Sequence, residues 1–149
     1  GVTLAMPAAH PFNPLPLLRL GLATTTDDAP GETNRYVTEQ LLRHVWHGGL
    51  DAADPVRLAA LQALLQDHMA QRGKPWVAPD SEAVKQRLRA NTDEALALGV
   101  FGVPSMVLDG RVFWGQDALP MLRAYMDGDR WFDALWDAAA RTAVGVQRR

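Results

Sequence analysis

Apolar residues recur at helical spacing through most of this chain and shift to strand spacing only past residue 100. The first stretch is extended and then helical. Asn13 before Pro14 has the form of an N-cap followed by proline at the first helical position, and Leu15, Leu18 and Leu22 form an apolar stripe, so a helix is predicted over 14–23. An Asp/Gly/Pro-rich break at 27–31 follows. Tyr36, Val37, Leu41 and Val45 then repeat with helical period until Gly48 and Gly49 supply a stop. A further helix is predicted from Pro55 to Gly73, and another opens at Asp80 or Ser81. Asn91 with Glu94 three residues on has the form of a capping box, which predicts a separate short helix to Leu98.

Beyond Gly99 the pattern changes. Val103 to Leu108 and Arg111 to Trp114 are short β-prone runs separated by Asp109-Gly110, a strong two-residue hairpin signal. A helix is predicted from Asp117, and "RWFDALWDAAARTAV" predicts a last amphipathic helix with Trp131, Leu135, Trp136 and Ala139 on one side. A two-stranded hairpin is not stable alone, so helices must cover it or other strands must pair with it. The chain opens on Gly1 rather than methionine, and with two visible strands it reads as starting in the middle of a domain.

Composition narrows the chemistry. At 149 residues, with 48% hydrophobic and 21% charged, one domain or one domain with an insertion is expected. A net charge of −2 supplies no basic field for nucleic acid, and no apolar run reaches membrane-spanning length. Neither partner is expected, and with no secretory segment visible the expected location is the cytoplasm. With no cysteine, the chain holds no disulfide framework, thiolate metal site or cysteine nucleophile of its own. His44 and His47 lie three apart on a predicted helix beside Trp46 without a third ligand, so no metal site is expected.

Two short motifs carry most of the remaining information. Gly102-Val103-Pro104-Ser105 sets a β-branched residue and a proline at the mouth of a strand, and Trp114-Gly115-Gln116-Asp117 closes the next one. Taken singly, Pro104 suits the start of an edge strand and Asp117 suits an N-cap. Taken in order, Pro11-Phe12-Asn13-Pro14-Leu15, a helical block and then "VFGVPSMVLDGRVFWGQDAL" resemble 2-hydroxychromene-2-carboxylate isomerase and its kappa-class glutathione transferase relatives, from Gly1 to about Met126.

The resemblance implies an α/β, thioredoxin-like fold of the DsbA type with an inserted helical domain. In this chain it is mostly helical with one hairpin, because the family's first β-α-β unit is expected before Gly1. The implied division is an extended lead-in and substrate loop over 1–13, the inserted helical domain over 14–99, the β-β-α half over 100–126 and a helical extension over 127–149. The implied cofactor is glutathione. In relatives the Val103-Pro104 bond is cis, turning Val103 toward the cysteinyl backbone of the tripeptide as a small added strand. Asp117 then meets the γ-glutamyl ammonium, Gln116 and the N–H groups of its turn meet the carboxylate, and Gly115 permits close approach. Trp114 is expected in the core, with its backbone near the cofactor. His10 stands where relatives place a substrate-contacting tyrosine, and Asn13, a cap within the same loop, is expected beside the substrate with it.

The activity implied is glutathione-dependent isomerisation of 2-hydroxychromene-2-carboxylate to trans-o-hydroxybenzylidenepyruvate, a step of naphthalene-type aromatic catabolism, in a homodimer. The serine that contacts the glutathione sulfur is expected upstream of Gly1. Ser81 and Ser105 do not match its position, so negligible turnover is expected from this chain alone. Two other readings stay open: a DsbA-type thiol-disulfide oxidoreductase whose cysteines lie upstream, and a helical fragment that binds or dimerises without catalysis.

Overall fold

A computed structural model describes residues 3–25, 31–133 and 136. Helices α1 (Leu15–Leu22), α2 (Arg35–Trp46), α3 (Pro55–Gln71) and α4 (Glu82–Ala97) precede strands β1 (Ser105–Leu108) and β2 (Arg111–Trp114) and helix α5 (Leu119–Met126). Short 3-10 turns occupy Gln116–Ala118 and Arg130–Asp133. The chain divides into two compact units, Gly1–Asp93 and Glu94–Arg149. Among the described residues no helix is long and apolar enough to cross a membrane.

The first unit is built on apolar helix faces. Leu17 and Leu20 of α1, Val37 and Val45 of α2, Ala52, and Leu61 and Leu65 of α3 form its buried cluster, with Phe12, Leu41, Leu58 and Trp76 packed around them. Each fully buried aliphatic side chain contributes about 1.5–3 kcal/mol, which holds short helices that would not persist alone. The buried stripe of α1 differs from the predicted one. Leu15 and Leu18 are 43% and 46% exposed, whereas Leu17, Leu20 and Leu22 are buried. In "LPLLRLGL" nearly every position is apolar, so periodicity cannot set the rotation of this helix. Gly21 sets it instead: a Cβ there would meet Thr33 Cγ2 at 3.0 Å and Leu41 Cδ1 at 3.2 Å, so that bare side presses against its neighbours.

Local chemistry accounts for most helix ends. Asn34 Oδ1 accepts from the Val37 N–H at 3.0 Å to start α2, and Asp54 Oδ1 accepts from the Arg57 N–H at 2.8 Å to start α3, with Pro55 at its first position. Asn13 Oδ1 accepts from the Leu15 N–H at 3.1 Å, and α1 begins one residue later than predicted. Gly48 and Gly49 stop α2 at φ of 86° and 66°. The connection after α2 is tied down by Arg57, whose guanidinium donates to the carbonyls of His44 and Asp51.

The predicted break at Asn91 is absent, and α4 runs unbroken from Glu82 to Ala97. A capping side chain needs a free helix end, and here the Asn91 side chain is otherwise engaged. Thr92 Oγ1 donates back to the Leu88 carbonyl at 2.9 Å, and Asn91 Nδ2 donates to the Gly31 carbonyl at 3.0 Å.

In the second unit β1 and β2 pair antiparallel in the register Ser105↔Trp114 to Leu108↔Arg111. Asp109 and Gly110 turn the chain at φ of 50° and 73°, both left-handed as a type I′ hairpin requires. β1 begins at Ser105, not at Val103, which precedes the ladder together with Pro104. Phe113 centres a small aromatic core, its ring 5.7 Å from Tyr125, 6.4 Å from Phe132 and 5.2 Å from Trp136. Helix α5 therefore covers one face of the hairpin. The helix predicted from Asp117 starts at Leu119, after the 3-10 turn, with Pro120 in its first turn. The predicted last helix begins as a 3-10 turn in which Phe132 is buried and Trp131 exposed. Leu135 and Ala139 lie outside the described residues.

Candidate cofactor site

The two motifs meet at the open end of the hairpin. The Gly115 N–H donates to the Pro104 carbonyl at 2.9 Å, one step beyond the Ser105↔Trp114 pair, and Ser105 Oγ donates to the Gly102 carbonyl at 2.7 Å. Val103-Pro104 is cis, as is His10-Pro11. Val103 is 89% exposed, and among the described residues no hydrogen bond engages its N–H or its C=O. An extended peptide laid alongside would find both groups available.

Gly115 turns the chain out of β2 at φ 91°, a conformation natural to glycine. Any side chain there would also collide with Asp117 Oδ1, so the carboxylate lies folded back over the glycine. Asp117 and Gln116 are exposed. Among the described residues Asp117 has no ion-pair partner, and the N–H groups of Gln116 and Asp117 donate no hydrogen bond. The turn thus presents one acceptor carboxylate and two free amide donors side by side. That set matches a ligand end carrying an ammonium and a carboxylate together.

Trp114 is not the core residue expected from sequence. It is 52% exposed, while its neighbour Phe113 is 1% exposed and takes the core position. Side chains alternate along a strand, so only one of two adjacent aromatics can face α5. The Trp114 indole lies instead against Gly102, where a Cβ would meet Nε1 at 2.5 Å, and 5.1 Å from the Phe101 ring. Phe101 was not singled out from sequence, and Gly102 only as the opening of its motif. Their signal was an aromatic-glycine pair directly before Val103-Pro104.

At the opposite end of the hairpin the Tyr125 hydroxyl donates to Asp109 Oδ2 at 2.8 Å and accepts from Arg111 Nη1 at 3.1 Å. The bond to Asp109 holds the Tyr125 phenol above its ordinary pKa, desolvation adds to this, and the Arg111 charge opposes it. This cluster fastens α5 to the turn and leaves the motif end of the hairpin unencumbered.

The remaining sequence-derived candidates belong to the first unit. His10 is exposed, with its ring 5.9 Å from Trp46 and 6.2 Å from Phe12. Asn13 precedes the N-cap of α1, which is Pro14, and its Oδ1 is occupied by the Leu15 N–H. His44 is buried with Nε2 3.0 Å from the Ala52 carbonyl, a packing role. Among the described residues no group of three His, Cys, Asp or Glu side chains is placed to hold a metal ion.

Comparison with known proteins agrees with this architecture. The DsbA-like thioredoxin domain family matches residues 2–127, and the chain belongs to that family. It is similar to glutathione S-transferase kappa 2 of Caenorhabditis elegans, with 30% identity over 101 residues, covering 62% of this chain and 45% of that protein. The chain therefore spans less than half the length of this curated relative. No solved structure matches it significantly.

Proposed function

We propose that the second unit holds the backbone of glutathione and that the whole protein uses this thiol on small electrophiles. The observation that carries the reading is the exposed Asp117 carboxylate, folded over Gly115 beside the unengaged N–H and C=O of Val103. Asp117 takes the γ-glutamyl ammonium, and the Gln116 side chain with the two free amides of its turn takes the neighbouring carboxylate. Val103 pairs with the cysteinyl backbone. Bound glutathione supplies a thiol that serves as nucleophile once ionised. The residues of this chain orient it, because a ligand fixed at two points loses its freedom before the chemistry rather than during it.

Within this reading the activity is isomerisation of a hydroxychromene-type carboxylate. The similarity to a kappa glutathione transferase supports glutathione as the thiol. An oxidoreductase reading fits this chain's own residues less well, since its Gly115-Gln116-Asp117 turn suits an amino-acid end.

Calorimetric titration with glutathione tests the proposal. Wild-type protein is expected to bind, and Asp117→Ala to bind about 10–100-fold more weakly, the range for one charge-assisted hydrogen bond. Wild-type binding that Asp117→Ala leaves unchanged would refute the site.

A further inference from the structure

Two arginines and a histidine pair of the first unit take no part in the hairpin site. Arg43 and His47 at the end of α2, Arg57 and Leu64 on α3, and Leu50 between the helices line an open cleft of about 460 Å³, a size usual for small-molecule sites. Among the described residues no aspartate or glutamate lines it. The carboxylates nearby in sequence are turned to other donors. Asp51 Oδ1 accepts from the Ala53 N–H at 2.8 Å, Asp54 Oδ1 from the Arg57 N–H at 2.8 Å, and Glu39 pairs with Arg35 at 2.8 Å. Among the described residues neither Arg43 nor Arg57 has an ion-pair partner. His44, which also lines the cleft, is spent on the Ala52 carbonyl, but the His47 side chain is exposed.

Cations at a helix C-terminus commonly serve its dipole, and that role does not exhaust these. The end of a helix carries only about half a negative charge, and two carbonyls of α2's last turn are already bonded, that of His44 by Arg57 and that of Arg43 by the His47 N–H. Two full guanidinium charges exceed what remains, so the cleft keeps a surplus of positive charge. Arg57 is also fixed in advance, because its guanidinium donates to the His44 carbonyl at 2.7 Å and to the Asp51 carbonyl. Beside these cations stand Leu50 and Leu64, 52% and 41% exposed, an apolar wall that a bare ion would leave unused. We propose that this cleft binds a phosphate monoester of a small organic group, with the phosphoryl oxygens at Arg43, Arg57 and the His47 ring and the organic part on Leu50 and Leu64. Planar guanidinium groups match phosphate oxygens two at a time, and a pair of them suits a dianion better than the single charge of a carboxylate. The site belongs to the first unit and does not depend on the glutathione reading.

Calorimetric titration with phenyl phosphate, inorganic phosphate and benzoate tests this, repeated on Arg43→Gln, His47→Gln and Arg89→Gln. All three side chains are exposed, so their substitution leaves the buried cluster intact, and Arg89 on α4 lies outside the cleft. Phenyl phosphate is expected to bind the wild type, with inorganic phosphate and benzoate each about tenfold weaker. Arg43→Gln is expected to weaken phenyl phosphate about 10–100-fold, the range for one charge-assisted hydrogen bond, and His47→Gln about fivefold. Arg89→Gln is expected to change it less than twofold, because an exposed charge beyond the Debye length of about 8–10 Å is screened. A wild type that does not bind phenyl phosphate, or binding that neither Arg43→Gln nor His47→Gln weakens, would overturn the site. Equal weakening by Arg89→Gln would do so too, since it would mean diffuse attraction to the surface. Inorganic phosphate bound as tightly as phenyl phosphate would overturn the organic part of the ligand, and benzoate bound as tightly would overturn the phosphate.

Discussion

Asp117 and Gly115 act as a pair, and neither is informative alone. The glycine at φ 91° lets the chain leave β2 sharply, and its missing side chain is what allows the carboxylate to fold back over the backbone. Gly115→Ala is therefore expected to lower stability by about 1–3 kcal/mol through strain, and to displace Asp117. Chemical denaturation read beside glutathione titration checks both effects, and the substitution should weaken binding even though it leaves the charge in place. The motif itself was legible in the sequence, since Trp-Gly-Gln-Asp after a strand is visible without coordinates. The direction of Trp114 was not. Two aromatics in succession compete for one core position, and only the pairing of β2 with β1 and the cover of α5 decide that Phe113 wins it.

At the scale of elements, the hairpin depends on its far end as much as on its motif end. Tyr125 on α5 bridges Asp109 and Arg111 across the turn, and the Arg111 guanidinium sits 5.1 Å from the centre of its ring. The Tyr125 pKa is raised in the folded protein, mainly by the bond to Asp109. Its stabilising contribution is thus fully present below the unfolded phenol pKa of about 10 and is lost as pH rises through the higher folded value. Thermal unfolding of wild type and Tyr125→Phe from neutral to alkaline pH is expected to show wild type more stable near neutrality, with the gap closing above about pH 10. In the first unit Leu65 is fully buried among α1, α2 and α3 residues, and Leu65→Ala is expected to cost about 2–5 kcal/mol in denaturant unfolding. Helix starts at Asn34 and Asp54 follow directly from residue type. The continuity of α4 does not, because Asn91 finds a tertiary partner in Gly31 that no local pattern reveals.

Over the whole molecule, the chain forms two compact units: the first is built of helices and the second carries the hairpin and the candidate site. Binding that belongs to the folded state must stabilise it. Glutathione at about a hundredfold excess over its Kd is expected to add about 2.7 kcal/mol of stability, seen as a raised Tm that Asp117→Ala loses at the same concentration. The chain alone determined which segments are helical, where the hairpin turns, which residues punctuate them and which family the motif order resembles. Those properties reside in short windows, where capping groups, glycines and apolar period act on their immediate neighbours. Only the tertiary structure decided which face of α1 is buried, that α4 is one helix, that Trp114 lies outside beside Phe101, and that the Asp117 carboxylate stands free. Each of these outcomes is a choice between locally equivalent alternatives, and packing against residues distant in sequence is what makes them unequal.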